Sequence, residues 1–124
     1  MKTKWIGSWK LSFTVEKQNI TSKGLCTFFE DGNVMADEIP MPQETSGHGS
    51  WVSTEANEGY YTFVSLFGNS EAGKWNEGTV SGKVKYDPKT DQWTGPYTIV
   101  LVDQDGNETF SDSGTMNATR ISAR

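Results

Sequence analysis

Thr79-Val80-Ser81-Gly82-Lys83-Val84-Lys85-Tyr86 and Trp9-Lys10-Leu11-Ser12-Phe13-Thr14-Val15-Glu16 both alternate between apolar and polar side chains. Successive side chains of a β-strand point to opposite faces, so this period of two places one side chain in a core and the next in water. Similar runs recur along the chain, separated by clusters of Gly, Asp, Asn and Pro. Many short strands with turn signals between them are typical of an all-β sandwich or barrel.

The turn signals divide the chain into eight predicted strands: Trp9–Lys17, Lys23–Glu30, Val34–Ile39, His48–Thr54, Tyr60–Phe67, Thr79–Tyr86, Gln92–Val102 and Glu108–Ile121. Asp31-Gly32-Asn33 and Asp105-Gly106-Asn107 have the composition of hairpin turns. Pro40-Met41-Pro42 excludes a central strand at that point. A meander of about eight strands avoids exposed edges by closing on itself. We therefore predict one all-β domain over residues 1–124, a single closed antiparallel up-and-down β-barrel with loops 40–47 and 68–78 framing its mouth.

The composition supports one domain with a real core and limits the classes of partner. The chain has 124 residues and 34% hydrophobic content, and its aromatic residues are five Trp, four Tyr and six Phe. Buried aromatics each remove about 150–250 Å² from water, which compensates for the few aliphatic residues. The net charge of −5 argues against nucleic-acid and anionic-membrane partners. No apolar run suggests a membrane span or signal peptide, and Cys26 is the only cysteine, so a cytoplasmic location is expected.

Two motifs at opposite ends of the meander carry a family resemblance. Gly7-Ser8-Trp9 opens the first strand and Arg120 closes the last. This arrangement resembles the calycin superfamily, which includes the lipocalins and their small relatives. Similarity to small lipocalin-like bacterial proteins extends over most of the chain: Phe28–Gly32, Gly47–Trp51, Tyr61–Leu66, Thr94–Thr98 and Gly114–Ile121. The resemblance implies an eight-stranded barrel, closed at one end by Gly7, Trp9 and Arg120, but it implies no particular activity.

The alternation also predicts which side chains face the barrel interior. If Trp9 faces inward, so do Leu11, Phe13 and Val15; on the other strands the predicted inward residues are Leu25, Thr27, Phe29, Val80, Gly82, Val84, Tyr86, Phe110, Asp112, Gly114, Met116 and Ala118. The seventh strand is apolar on both faces, and we place Tyr97 inside. A small eight-stranded barrel either packs its interior or holds one small ligand. The side chains predicted to form the walls of a ligand site are Trp51, Tyr61, Phe63, Tyr97 and Met116.

Three residues are candidates for acid–base chemistry. His48 is the only histidine and follows the Pro-rich loop, so it is either a general acid or base near the mouth or a polar surface residue. Asp112 falls on the inner face by register. It is either a buried carboxylate poised for proton transfer or a solvated residue in a bulge near 111–113. Glu38, just before the Pro pair, is a weaker candidate.

The leading functional hypothesis is non-covalent binding of a small hydrophobic molecule in the lumen, with a polar contact from His48. The alternative is a cofactor-free isomerase or cyclase acting on a small polyketide-, terpenoid- or fatty-acid-derived substrate in the same pocket, with His48 or Asp112 moving a proton. A third possibility is a structural barrel whose lumen is filled by its own aromatic residues. With one His and one Cys, neither a metal site of the usual zinc type nor a cofactor is predicted. The sequence does not decide whether the protein forms a homo-oligomer.

Overall fold

The computed structural model describes residues 3–39, 44–68 and 73–123, which form one sheet of eight strands. The strands are β1 Gly7–Val15, β2 Ile20–Phe28, β3 Asn33–Glu38, β4 Gly47–Glu55, β5 Glu58–Gly68, β6 Trp75–Asp87, β7 Gln92–Asp103 and β8 Glu108–Arg120. Each pairs antiparallel with the next, and β1 pairs with β8, so the sheet closes on itself. The predicted closed up-and-down barrel is confirmed.

The two Asp-Gly-Asn turns form as their composition predicts. Gly32 and Gly106 have φ values of 93° and 86°, a conformation that glycine adopts without steric cost. The Asp31 carboxylate accepts from the Asn33 backbone N–H at 3.0 Å, and the Asp103 carboxylate does the same for Asn107. These local bonds replace strand pairing where the chain reverses.

The β5–β6 hairpin is longer than its sequence indicates. Residues 68–78 were expected to be a loop at the mouth, but Phe67 pairs with Asn76 and Gly68 with Trp75. Strand pairing therefore continues through the last four residues of the expected loop. Residues 69–72 of that loop lie outside the described residues, as do 40–43, which include Pro40-Met41-Pro42.

The prediction of which β2 side chains face the barrel interior is wrong. Leu25 and Phe29, expected inside, are 51% and 42% exposed, whereas Cys26 and Phe28 are buried. Leu25-Cys26-Thr27-Phe28-Phe29 is apolar in both phases, so alternation alone does not choose between them. Pairing with β1 decides it, because directly opposed residues share a face and Cys26 lies opposite Trp9.

Of the other predicted inward side chains, those on β1 and β6, together with Met116 and Ala118 on β8, belong to one core or pack against it. This core also contains Trp5, Phe28 and Val34, which were not predicted to face inward. Its fully buried members are Trp5, Trp9, Phe28, Val34 and Val84. Tyr97 is also buried, which confirms its inward placement. Among the described residues, no helix has the length and apolar character required to cross a bilayer.

Candidate functional site

One end of the barrel is closed by aromatic side chains beneath the N-terminal segment. Trp5 and Trp9 are fully buried, and the Trp9 indole N–H donates to the Trp5 carbonyl at 3.0 Å. Trp51 packs edge-on against Trp5 with ring centroids 4.7 Å apart, and its indole N–H donates to the Phe29 carbonyl at 2.7 Å. We call this the sealed end, defined by Trp5, the turns at 29–32 and 88–91, and Arg120.

Arg120 holds the sealed end together through four contacts. Its guanidinium carbon lies 4.3 Å from the Trp9 ring centroid. Two of its nitrogens donate to the carbonyls of Ile6 and Lys4, at 2.9 and 2.7 Å. The third donates to Asp91 Oδ2 at 2.7 Å. The last strand is thereby tied to the first strand, the N-terminal segment and the β6–β7 turn.

Gly7 and Tyr86 complete the surroundings of this guanidinium. Gly7 has φ +126°, and a Cβ at this position would lie 2.6 Å from an Arg120 nitrogen, so the Gly-x-Trp motif needs glycine here. The Tyr86 hydroxyl donates to Asp91 Oδ1 at 2.7 Å. The Arg120 guanidinium, with help from Tyr86, lowers the pKa of the Asp91 carboxyl.

Packed rings fill the half of the lumen next to the sealed end. The Phe28 and Tyr61 ring centroids lie 5.8 and 6.0 Å from that of Trp93. The Tyr61 hydroxyl donates to the Met116 sulfur at 3.4 Å, and burial raises the Tyr61 pKa well above its ordinary value. Trp51 and Tyr61, both predicted as ligand contacts, therefore belong to the packed half.

The other half of the lumen contains a cavity of about 460 Å³. Its apolar walls come from seven strands and include Leu11, Phe13, Phe63, Val80, Ile99 and Met116. Of the predicted wall residues, Phe63, Tyr97 and Met116 line it. The cavity opens among Gln18, Ile20, Ile39 and Phe110, opposite the sealed end. We call this the open end.

Three of the polar side chains that line this cavity are Tyr97, Ser65 and Glu38, and each has a different environment. The Tyr97 hydroxyl donates a hydrogen bond to the Thr14 carbonyl. Ser65 is only 6% exposed, and its hydroxyl makes no hydrogen bond to any described residue. Glu38 shares the inner face of β3 with Val34 and Ala36 and is half-buried.

The hydrogen bond from Tyr97 to Thr14 depends on a glycine in β8, Gly114. Tyr97 lies on β7 and Thr14 on β1, and β8 runs between these strands. At Gly114 on β8 a Cβ would lie 1.8 Å from the Thr14 oxygen and 2.9 Å from the Tyr97 ring. Glycine therefore allows the phenol to cross β8 and reach β1.

His48 lies on the outer surface of the barrel. It is exposed and alternates along β4 with the inward Gly47 and Gly49. Its strand neighbours are Met35 and Val64, and it is not among the residues that line the cavity. Its position does not allow the predicted polar contact to a ligand in the lumen.

Asp112 is buried as its register predicts, but its oxygens are committed to the backbone. Both accept from the Lys17 N–H at 3.1 Å, and Oδ1 also accepts from the Ser113 N–H at 2.7 Å. The alternative prediction for Asp112 was a bulge near 111–113. Instead, β8 stays in register with β7 from Thr119 to Phe110, and the register shifts only between Leu101 and Val102. Asp112 does not line the cavity and instead fastens the β1–β2 turn to β8.

Trp5 and Ser65 are the important residues that the sequence reasoning did not select. Trp5 precedes the first alternating run, so strand periodicity gives no information about it. Ser65 did carry a signal, because it is the polar member of the inward series Tyr61, Phe63, Ser65 and Phe67 on β5. A hydroxyl within such an apolar series indicates either a buried hydrogen bond or a polar contact for a ligand.

No group of three or more His, Cys, Asp or Glu side chains within the described ranges has the arrangement to hold a metal ion. Comparisons with known proteins supply no family for this chain: no protein-family model matches it, and no curated protein shows significant similarity. The cavity is therefore the feature of the molecule that indicates a function.

Proposed function

We propose that this protein, a lipocalin-like barrel, binds one small apolar molecule in the cavity at the open end. The observation that carries the proposal is the cavity of about 460 Å³, walled by apolar side chains and closed below by packed rings. Ligand pockets in proteins typically measure about 300–1,000 Å³, with apolar walls and a few polar groups. Desolvation of ligand and wall, at about 25 cal/mol per Å² of apolar surface, would provide the driving force.

The other two hypotheses have weaker support. An isomerase or cyclase was expected to use His48 or Asp112, but neither residue lines the cavity, and Asp112 is hydrogen-bonded to two backbone amides. A structural barrel would need a filled lumen, whereas packed side chains occupy the half next to the sealed end. Binding is the function to which the arrangement of wall and polar residues is best suited.

The test uses the neutral apolar fluorophore N-phenyl-1-naphthylamine and a pair of variants on β3. Ala36 lines the cavity, and its neighbour Met35 is 36% exposed on the outer face. Ala36→Phe places a ring in the cavity, so we expect at least a tenfold loss of affinity. Met35→Phe adds the same ring outside and should bind like the wild type.

A second cavity-filling variant keeps the test informative if Ala36→Phe fails to fold. Ile99 is only partly buried and lines the cavity, so Ile99→Trp should retain the fold and weaken binding. Circular dichroism and a thermal melt establish that each variant is folded. Absence of probe binding by the wild type, or undiminished binding by both folded cavity variants, would refute the proposal.

A further inference from the structure

The charged side chains around the cavity are acidic. Among the described residues that line it there are three carboxylates, Asp37, Glu38 and Glu44, and no lysine, arginine or histidine. Lys17 is a cation beside the open end: its ammonium group donates to the Ser111 carbonyl and lies 6.0 Å from the centroid of the Phe110 ring. The three lining carboxylates outnumber this one positive charge, so the entrance favours cations over anions.

Glu38 is the carboxylate best placed to contact a ligand. It lies on the inner face at the end of β3 and lines the cavity. Among the described residues its carboxylate has neither a hydrogen-bond partner nor an ion-pair partner. Asp37 differs, because it is exposed on the outer face and accepts from the Ser46 hydroxyl at 2.6 Å. A half-buried carboxylate without a partner gains more from a cation than a solvated one does.

The charge of Glu38 also acts on Tyr97 in the cavity wall. Burial is the main cause that raises the pKa of Tyr97 to about 12, and the negative charges of Asp112, Glu38 and Glu16 add to it.

Ser65 places a polar group in the wall of the cavity. The residue is 6% exposed and lines the cavity, and its hydroxyl makes no hydrogen bond within the described part of the chain. Its oxygen is not one of the inaccessible polar atoms left without a partner, so it is open to the cavity. On β5, Ser65 lies closer to the sealed end than Phe67, which pairs with Glu44 at the open end. A polar group of a ligand inside the cavity would be within reach of this hydroxyl.

Building on the proposed binding function, we propose that the ligand is an apolar amine whose ammonium group lies against Glu38. Its hydrocarbon part occupies the apolar cavity, and Ser65 hydrogen-bonds a polar atom of the ligand. Glu38 selects the sign of the charge, whereas the uncharged Ser65 orients the ligand without such a preference.

The test compares three ligands that share one chain and differ in head group. Decylammonium, decan-1-ol and decanoate compete with N-phenyl-1-naphthylamine on the full-length protein at neutral pH and submicellar concentration. We expect decylammonium to bind about tenfold more tightly than decan-1-ol, and decanoate to bind more weakly than both. Raising the ionic strength to about 0.15 M should reduce the preference for the amine without abolishing it.

Two variants separate Glu38 from the general acidity of the protein. Glu38→Gln should reduce decylammonium affinity about tenfold and leave decan-1-ol affinity unchanged. Glu108 is exposed at the start of β8 and does not line the cavity, so Glu108→Gln removes the same charge near the open end and should leave both affinities close to wild type. If the three ligands bind equally well, or Glu108→Gln has the same effect as Glu38→Gln, the amine inference is wrong and apolar binding stands. If neither the fluorophore nor any of the three ligands binds, the proposed function itself fails.

Discussion

The guanidinium of Arg120 lies over the indole of Trp9, with 4.3 Å between its central carbon and the ring centroid. This contact joins β8 to β1, the pair of strands that closes the barrel. The same guanidinium also donates to two backbone carbonyls and to Asp91. One side chain therefore stabilises both the seam of the sheet and the sealed end of the lumen.

We expect Arg120→Met to lower the free energy of unfolding by about 2–4 kcal/mol. Methionine retains much of the apolar stem but loses three charge-assisted hydrogen bonds and the contact with the Trp9 ring. Urea denaturation followed by tryptophan fluorescence measures the change. Lys83→Met is the control, because Lys83 forms a 3.0 Å surface ion pair with Glu58 and such pairs contribute less than about 1 kcal/mol. Equal effects of the two variants would mean that the Arg120 contacts do not stabilise the closure.

The Asp91–Arg120 pair should make stability depend on acidity. Arg120 lowers the folded-state pKa of Asp91 below its ordinary value of 3.8. The stabilisation is therefore fully present above that value and is lost as the pH falls through the folded-state pKa. Asp91→Asn removes the titrating group, and Asn tolerates the φ of 52° found there. Unfolding free energies measured from neutral pH to about pH 2 should show wild type and variant converging at the acid end. A constant difference across that range would contradict the assignment.

Strand periodicity and end motifs were sufficient to predict the barrel and the residues at its seam. Trp9, Leu11 and Phe13 alternate with polar neighbours, so their inward direction follows from β1 alone. On β2 both faces are apolar, and only pairing with β1 places Cys26 rather than Leu25 inside. Alternation predicts a face when one face is polar and gives no preference when both are apolar.

The sequence did not allow us to predict that one half of the lumen is packed and the other half is hollow. Trp51 and Phe63 are both inward residues of the β4–β5 hairpin, yet Trp51 packs on Trp5 while Phe63 lines the cavity. Their difference is one of height along the barrel axis, which is set by the tilt and stagger of the strands. His48 is a different case, because Trp51 lies inward three residues later on β4 and alternation therefore places His48 on the outer face.

We expect Gly114→Ala to destabilise the protein by about 3 kcal/mol or more. The added Cβ would lie 1.8 Å from the Thr14 carbonyl oxygen, so β1 would have to move and the hydrogen bond from Tyr97 would be strained or lost. The neighbouring Thr115 is exposed, and Thr115→Ala should change the unfolding free energy by less than about 1 kcal/mol. Urea midpoints of the two variants give the comparison. Similar midpoints would show that β1 and β8 are farther apart at this position than described.

The thiol of Cys26 should be unreactive in the folded protein. Burial raises its pKa from 9.0 to about 12, so at mildly alkaline pH its thiolate fraction is about a thousandfold lower than that of an exposed cysteine. Reaction with Ellman's reagent should therefore be slow in buffer and fast in urea. The control is Leu25→Cys in a Cys26→Ser background, because Leu25 lies on the outer face of the same strand and its replacement thiol should react rapidly without denaturant. If the Leu25→Cys thiol is protected and Cys26 is reactive, β2 faces the other way, and the core opposite Trp9 would have to be rebuilt around Leu25.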